Sequence, residues 1–86
     1  MLIDCHAHTC QYSSCSQLTP NELVTLSARR GLDALVVTEH HHQWIGKELD
    51  ELRRSYREVR LFSGVEIFLA EGYDLVAISA EPLCFE

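Results

Sequence analysis

The sequence predicts an α/β fold built on a largely parallel sheet, and three observations predict it. β-prone and helix-prone segments alternate along the chain. The run Ala34-Leu35-Val36-Val37 is apolar at consecutive positions, as a strand covered on both faces must be. Polar residues capable of chemistry follow directly on the apolar runs, where parallel folds place their sites. In an eight-unit barrel each strand-helix unit averages about 31 residues, so a chain of 86 residues covers fewer than three units. The expectation is one domain over residues 1–86 forming a partial (β/α) barrel.

Each element has a local reason. Met1 to Cys5 reads as a short strand entering a polar segment, Thr9 to Gln17, rich in Ser and Cys. Thr19-Pro20-Asn21-Glu22 is a helix start: Thr19 caps, Pro20 suits the first helical position, and Glu22 completes a capping box. Leu23, Leu26, Ser27 and Arg30 share a helical face that Val24 and Ala28 widen, and Gly31 stands where a C-terminal cap belongs. Asp33 to Thr38 is the buried strand. A second helix is expected from Gly46 to Glu58, with Leu49, Leu52 and Tyr56 at helical spacing. Three β-prone stretches follow, Val59 to Phe62, Val65 to Leu69 and Asp74 to Ile78, with Glu71-Gly72 as a turn.

Composition narrows the function. With 47% hydrophobic and 23% charged residues the chain is globular, and seven Lys plus Arg against thirteen Asp plus Glu leave a net charge of −6. A nucleic-acid binder relying on counterion release needs a basic face, so this balance argues against that class. No apolar run approaches the ~18 residues of a membrane span, and Asp4 interrupts any secretory apolar segment. The expected compartment is the cytoplasm, with the four cysteines as thiols or metal ligands.

Three constellations carry chemistry. In Asp4-Cys5-His6-Ala7-His8-Thr9, strand alternation puts Asp4, His6 and His8 on one face and Cys5 on the core side. Two imidazoles so placed can share a metal ion while Asp4 orients a ring; the plainer reading is a polar strand end. Thr38-Glu39-His40 ends the apolar strand, with His40 the ligand candidate and His41 and His42 in the loop beyond. In Gly64-Val65-Glu66-Ile67-Phe68-Leu69, a carboxylate among apolar residues either pairs with a cation or faces solvent, and Asp74 poses the same question. Cys5, Cys10 and Cys15 recur every five residues, which matches neither a zinc pair nor a redox dithiol. Cys15 is a candidate soft ligand, Cys10 and Cys84 read as ordinary thiols, and Tyr12 and Trp44 either line a cleft or pack.

In order, Asp4-x-His6-x-His8-Thr9, then Gly31 through Thr38-Glu39-His40, then Gly64-Val65-Glu66 resemble the polymerase and histidinol phosphatase (PHP) family from about Leu2 to Ser79. The resemblance implies a TIM-like barrel of the PHP type, of which this chain would be the N-terminal portion. It implies two or three divalent ions (Zn, Mn or Fe) and hydrolysis of a phosphoester by a metal-bound hydroxide. By motif position His6 and His8 would hold one ion, Glu66 would bridge it to a second, and His40 would bind a third. His40 and Glu66 would then be the catalytic pair, with Asp4 and Glu39 supporting the ligands. Substrates would be phosphorylated small molecules or nucleotides.

The chain departs from the family pattern at Glu39, where Asp is usual, at Cys15, where Asp or His is frequent, and at Asp74, which stands in for a later histidine. Cys15 would soften the site towards zinc, and Asp74 could still ligate through oxygen. The family's later His and Asp motifs have no counterpart, and seven units would take about 217 residues. Alternatives are a non-catalytic metal-binding or interaction module that self-associates through an open sheet, in which Leu83-Cys84-Phe85 would take part, or the PHP module of a bacterial DNA polymerase.

Overall fold

The computed structural model describes residues 1–55 and 57–83. The elements run β1 (Ile3–Ala7), α1 (Pro20–Arg29), β2 (Ala34–His40), α2 (Gly46–Ser55), β3 (Arg60–Phe68) and β4 (Asp74–Ile78). They form one four-stranded sheet in the order β1-β2-β3-β4, curled into a half-barrel. β1, β2 and β3 are parallel, and β4 returns antiparallel along β3.

The helices form for the expected reasons. At α1 the capping box closes in both directions, with the Glu22 N–H donating to Thr19 Oγ1 at 3.2 Å and the Thr19 N–H donating to Glu22 Oε1 at 3.1 Å. Its end is set by Gly31, whose φ of +78° lets the chain leave the helix. α2 buries Leu49 and Leu52 and ends its described span at Ser55; Tyr56 lies outside the described residues. Arg53 ties α2 to the sheet by donating to the Leu61 carbonyl from Nε (3.1 Å) and Nη2 (2.8 Å).

Burial then divides the sheet. Leu35 and Val37 of β2 and Leu61 of β3 pack with Leu23, Val24, Trp44, Leu49, Leu52 and Val59 beneath the helices. Six of the seven β2 residues are buried, because β2 has a strand on either side and helices over one face. No helix among the described residues is long and apolar enough to cross a membrane.

Four expectations change. Val59 to Phe62 and Val65 to Leu69 are one strand, β3, because Gly64 does not break it. A Cβ there would clash with the Ala77 carbonyl oxygen and lie 3.1 Å from Ile78 Cα, so glycine admits β4 to close approach. Cys5 is exposed instead of core, because β1 is an edge strand whose first four residues are all uncovered. The first strand also extends to Ala7 and the second to His40, carrying them into the histidine segments.

The last difference is the register of β1. Asp4 pairs with Leu35 but Ala7 pairs with Val37, so one extra residue of β1 is accommodated between those pairs. The Thr38 hydroxyl serves both backbone groups of Ala7 just beyond the slip, accepting from its N–H at 3.2 Å and donating to its carbonyl at 3.3 Å. Strict alternation is lost, and Asp4 no longer shares a face with His6.

Candidate metal centre

The C-terminal ends of the three parallel strands meet at one carboxylate. Glu66 pairs in register with His40 of β2 and is only 5% exposed. Its Oε1 lies 2.6 Å from His6 Nε2, 3.1 Å from His8 Nε2 and 3.9 Å from His40 Nε2. The His8 and His40 rings stack at 4.6 Å between centroids and 10° between planes, while His6 meets His8 edge-on at 5.1 Å. The register slip in β1 produces this arrangement, because it turns His6 and His8 to the side of the sheet that carries His40 and Glu66.

The electrostatics follow from that geometry. Burial works against the charged form of Glu66. The His6 hydrogen bond and the charges of His40, His6 and His8 outweigh it and hold the carboxyl below its ordinary pKa. Burial, then the neighbouring His40, then His6, hold the His8 pKa down despite the pull of Glu66. Neutral imidazole is the form that binds a metal ion.

Two sets of donors result. His6, His8 and Glu66 offer ligand atoms within 4.8 Å of one another, and so do His8, Cys15 and His40. Zinc bonds of about 2.0–2.1 Å to nitrogen and 2.3 Å to sulfur at tetrahedral angles place ligand atoms roughly 3.3–3.6 Å apart, so side-chain adjustments of about an ångström would close either set on an ion. His8 belongs to both, and its Nδ1 is buried with no hydrogen-bond partner among the described residues. An orphaned polar atom of this kind costs about 1–3 kcal/mol, which coordination of that nitrogen to a cation would offset. The residues therefore fit a divalent ion, with one oxygen- and nitrogen-rich set and one containing a thiol.

Glu39 occupies the other side of β2 and is fully buried. Its Oε1 accepts from the Thr9 N–H and the Ser13 hydroxyl, both at 2.8 Å. Its Oε2 accepts from the Thr9 hydroxyl and, at 2.9 Å, from Trp44 Nε1. Ser13 Oγ in turn accepts from the His40 N–H at 3.1 Å. The loop after β1 is also bonded within itself: the Ser13 N–H reaches the Thr9 carbonyl at 3.0 Å, and the Ser16 hydroxyl reaches the His8 carbonyl at 3.1 Å.

Other candidates lie elsewhere. Asp4 Oδ1 accepts from the His6 backbone N–H at 3.0 Å, so it steadies the main chain where an imidazole partner was expected. Asp74 is exposed opposite Phe68 and joins neither donor set. The antiparallel return of β4 places Val76, not Asp74, beside Glu66. His41 takes a φ of +52° and its Nε2 accepts from the Phe68 N–H at 3.4 Å. Cys10 is an exposed thiol, and Cys84 lies outside the described residues.

A second polar cluster was not legible in the sequence. Glu48 accepts from the Tyr12 hydroxyl and, at 2.9 Å, from His42 Nε2, and the Tyr12 and His42 rings stack at 3.5 Å. The glutamate hydrogen bond, with burial, holds the Tyr12 phenol above its ordinary pKa. Trp44 is buried and also borders a cleft of about 650 Å³ with Gln11, Lys47 and Glu48, so the indole packs and lines at once. Only residue type hinted at this cluster, since 36 positions separate Tyr12 from Glu48. No protein-family model and no curated protein matches the chain.

Proposed function

We propose that this chain is a metal-dependent phosphoester hydrolase of the PHP type, acting on a phosphorylated small molecule or nucleotide. The observation that carries the reading is the convergence of His6, His8 and His40 on one oxygen of buried Glu66, at the C-terminal ends of three parallel strands. His6, His8 and Glu66 would hold one divalent ion, and Cys15 and His40 offer donors to a second position, with His8 serving one set or the other because a neutral imidazole ligates one ion at a time. Zinc suits the thiolate set, and zinc, manganese or iron the other. Such ions act as Lewis acids towards phosphoryl oxygens and lower the pKa of a coordinated water.

The protein's own contribution is orientation. Glu66 draws His6 and His8 towards a common point before any ion arrives. The register slip aims both rings, and the stacked His40 sets the spacing between the donor sets. The partly exposed His6 and His40 leave the centre open to solvent, as a substrate requires.

Glu66→Gln tests the assignment, being nearly isosteric. Metal stoichiometry after loading with zinc or manganese should fall in Glu66→Gln and in the double variant His6→Ala/His8→Ala, together with hydrolysis of an aryl phosphate. Unchanged metal content in both variants would sink the proposal. A parent that binds metal but turns over no phosphoester would favour a non-catalytic metal-binding or interaction module. The two sheet edges, which have no partner strand among the described residues, lend that second reading its support.

A further inference from the structure

We propose that Glu39 is the positioning residue of the thiol-containing donor set, deciding through Ser13 and Thr9 whether Cys15 reaches the point that His8 and His40 address. This rests on the metal-centre reading and adds to it a division of labour between two buried glutamates.

The argument is one of connectivity. Cys15 stands on a loop, and a loop thiol finds two imidazoles only if something fixes the loop against both strands that carry them. Glu39 does so from β2. It grips Thr9, the residue after His8, by backbone N–H and hydroxyl, and Ser13, two residues before Cys15, by hydroxyl. Ser13 then closes the circuit on the His40 N–H. Each of the three donors in that set is therefore within two residues of a group tied to one carboxylate or to its serine relay. Among the described residues no hydrogen bond joins His6 or Glu66 to Glu39 or to its serine relay.

Two accepting oxygens are required, and the fixed donors show why. Both oxygens of Glu39 face donors only: one meets the Thr9 N–H and the Ser13 hydroxyl, the other the Thr9 hydroxyl and the Trp44 indole N–H. Hydroxyls rotate, but the Thr9 backbone and the Trp44 ring each present a fixed N–H. An amide in place of the carboxylate sets its NH2 against one of them in either orientation. Glu39→Gln, although isosteric, must therefore displace Thr9 and Ser13 or Trp44.

Cobalt(II) replaces zinc as a spectroscopic probe, because thiolate coordination adds a near-ultraviolet charge-transfer band that imidazole and carboxylate do not. Parent protein titrated with cobalt should show the band, and Cys15→Ser should abolish it. Glu39→Gln should bind cobalt through His6, His8 and Glu66 yet lose most of the thiolate band per bound ion, and affinity at the thiol set should fall about 10–100-fold. Ser13→Ala keeps the carboxylate with three donors and cuts only the relay to His40; it should weaken the same band per bound cobalt, with a melting temperature lowered by the orphaned His40 N–H but the protein still folded. A role limited to general stability predicts lower melting temperatures with the full band per bound cobalt in both folded variants, and that result overturns the inference. Cobalt bound by the parent without a thiolate band overturns it as well, leaving the His6-His8-Glu66 set standing. No cobalt binding by the parent overturns the metal-centre reading itself.

Discussion

Glu39 and Glu66 are carboxylates buried to a similar depth, and they meet the cost of burial differently. An unpaired buried carboxylate is expensive. Glu39 is satisfied by four neutral donors, and Glu66 by imidazoles that can also face a cation. The first anchors the loop after β1, and the second meets three imidazoles. Gly64 shows the same dependence on neighbours, since its Cβ position is already taken by the backbone of β4. Gly64→Ala should destabilise the protein by about 1–3 kcal/mol, the range for overpacking. At this chain length that lowers the melting temperature by roughly 4–8 °C for each kcal/mol. An unchanged melting curve would show that β4 stands off further than the structure places it.

Among the elements, α1 carries its own start signal and β1 does not. The capping box of α1 is local, and it makes a pH-dependent contribution. Glu22 has its pKa held below the ordinary carboxyl value by the hydrogen bond with the Thr19 backbone, then by that with the Thr19 side chain. A depressed carboxyl stabilises the fold above its unfolded pKa, and the contribution fades as pH falls through the folded value. Glu22→Ala should therefore lower the melting temperature at neutral pH, with the gap to the parent closing in acid. Glu22→Gln should show the same change of gap with pH from a smaller starting difference, because an amide accepts from Thr19 at every pH and neither variant titrates. Parallel melts from neutral to acidic pH give the comparison. For β1 the decisive event is the slip against β2, whose cause lies in the partner strand and in the Thr38 hydroxyl.

For the whole molecule, an open half-barrel has consequences. The register puts Ile3, Phe62 and Ile78 on the face opposite the helices, and all three are exposed. The outer edges of β1 and β4 have no partner strand among the described residues. A second copy of the chain can cover both features at once, since apolar surface and free strand edges favour self-pairing. Sedimentation at micromolar concentration should show association that grows with concentration and weakens in Phe62→Glu. A compact monomer throughout the range would contradict this.

The alternation of apolar runs, the capping box, Gly31 and the glycine turn at Gly72 are local in origin, so the sequence alone determined the order of helices and strands, the bounds of α1 and β4 and the start of α2. It also determined which residues were able to bind metal, because histidine pairs and a carboxylate in an apolar run carry their chemistry with them. Which of them meet was decided only by the tertiary structure. Asp4 and Asp74 had the right chemistry, but a one-residue slip turned the histidines and not Asp4 to the face of Glu66, and an antiparallel return left Asp74 opposite Phe68. Cys15 joined His8 and His40 through a loop held by Glu39, from residues 26 and 30 positions away. Strand register and loop closure depend on partners distant in sequence, and a pattern read along one chain has no access to them.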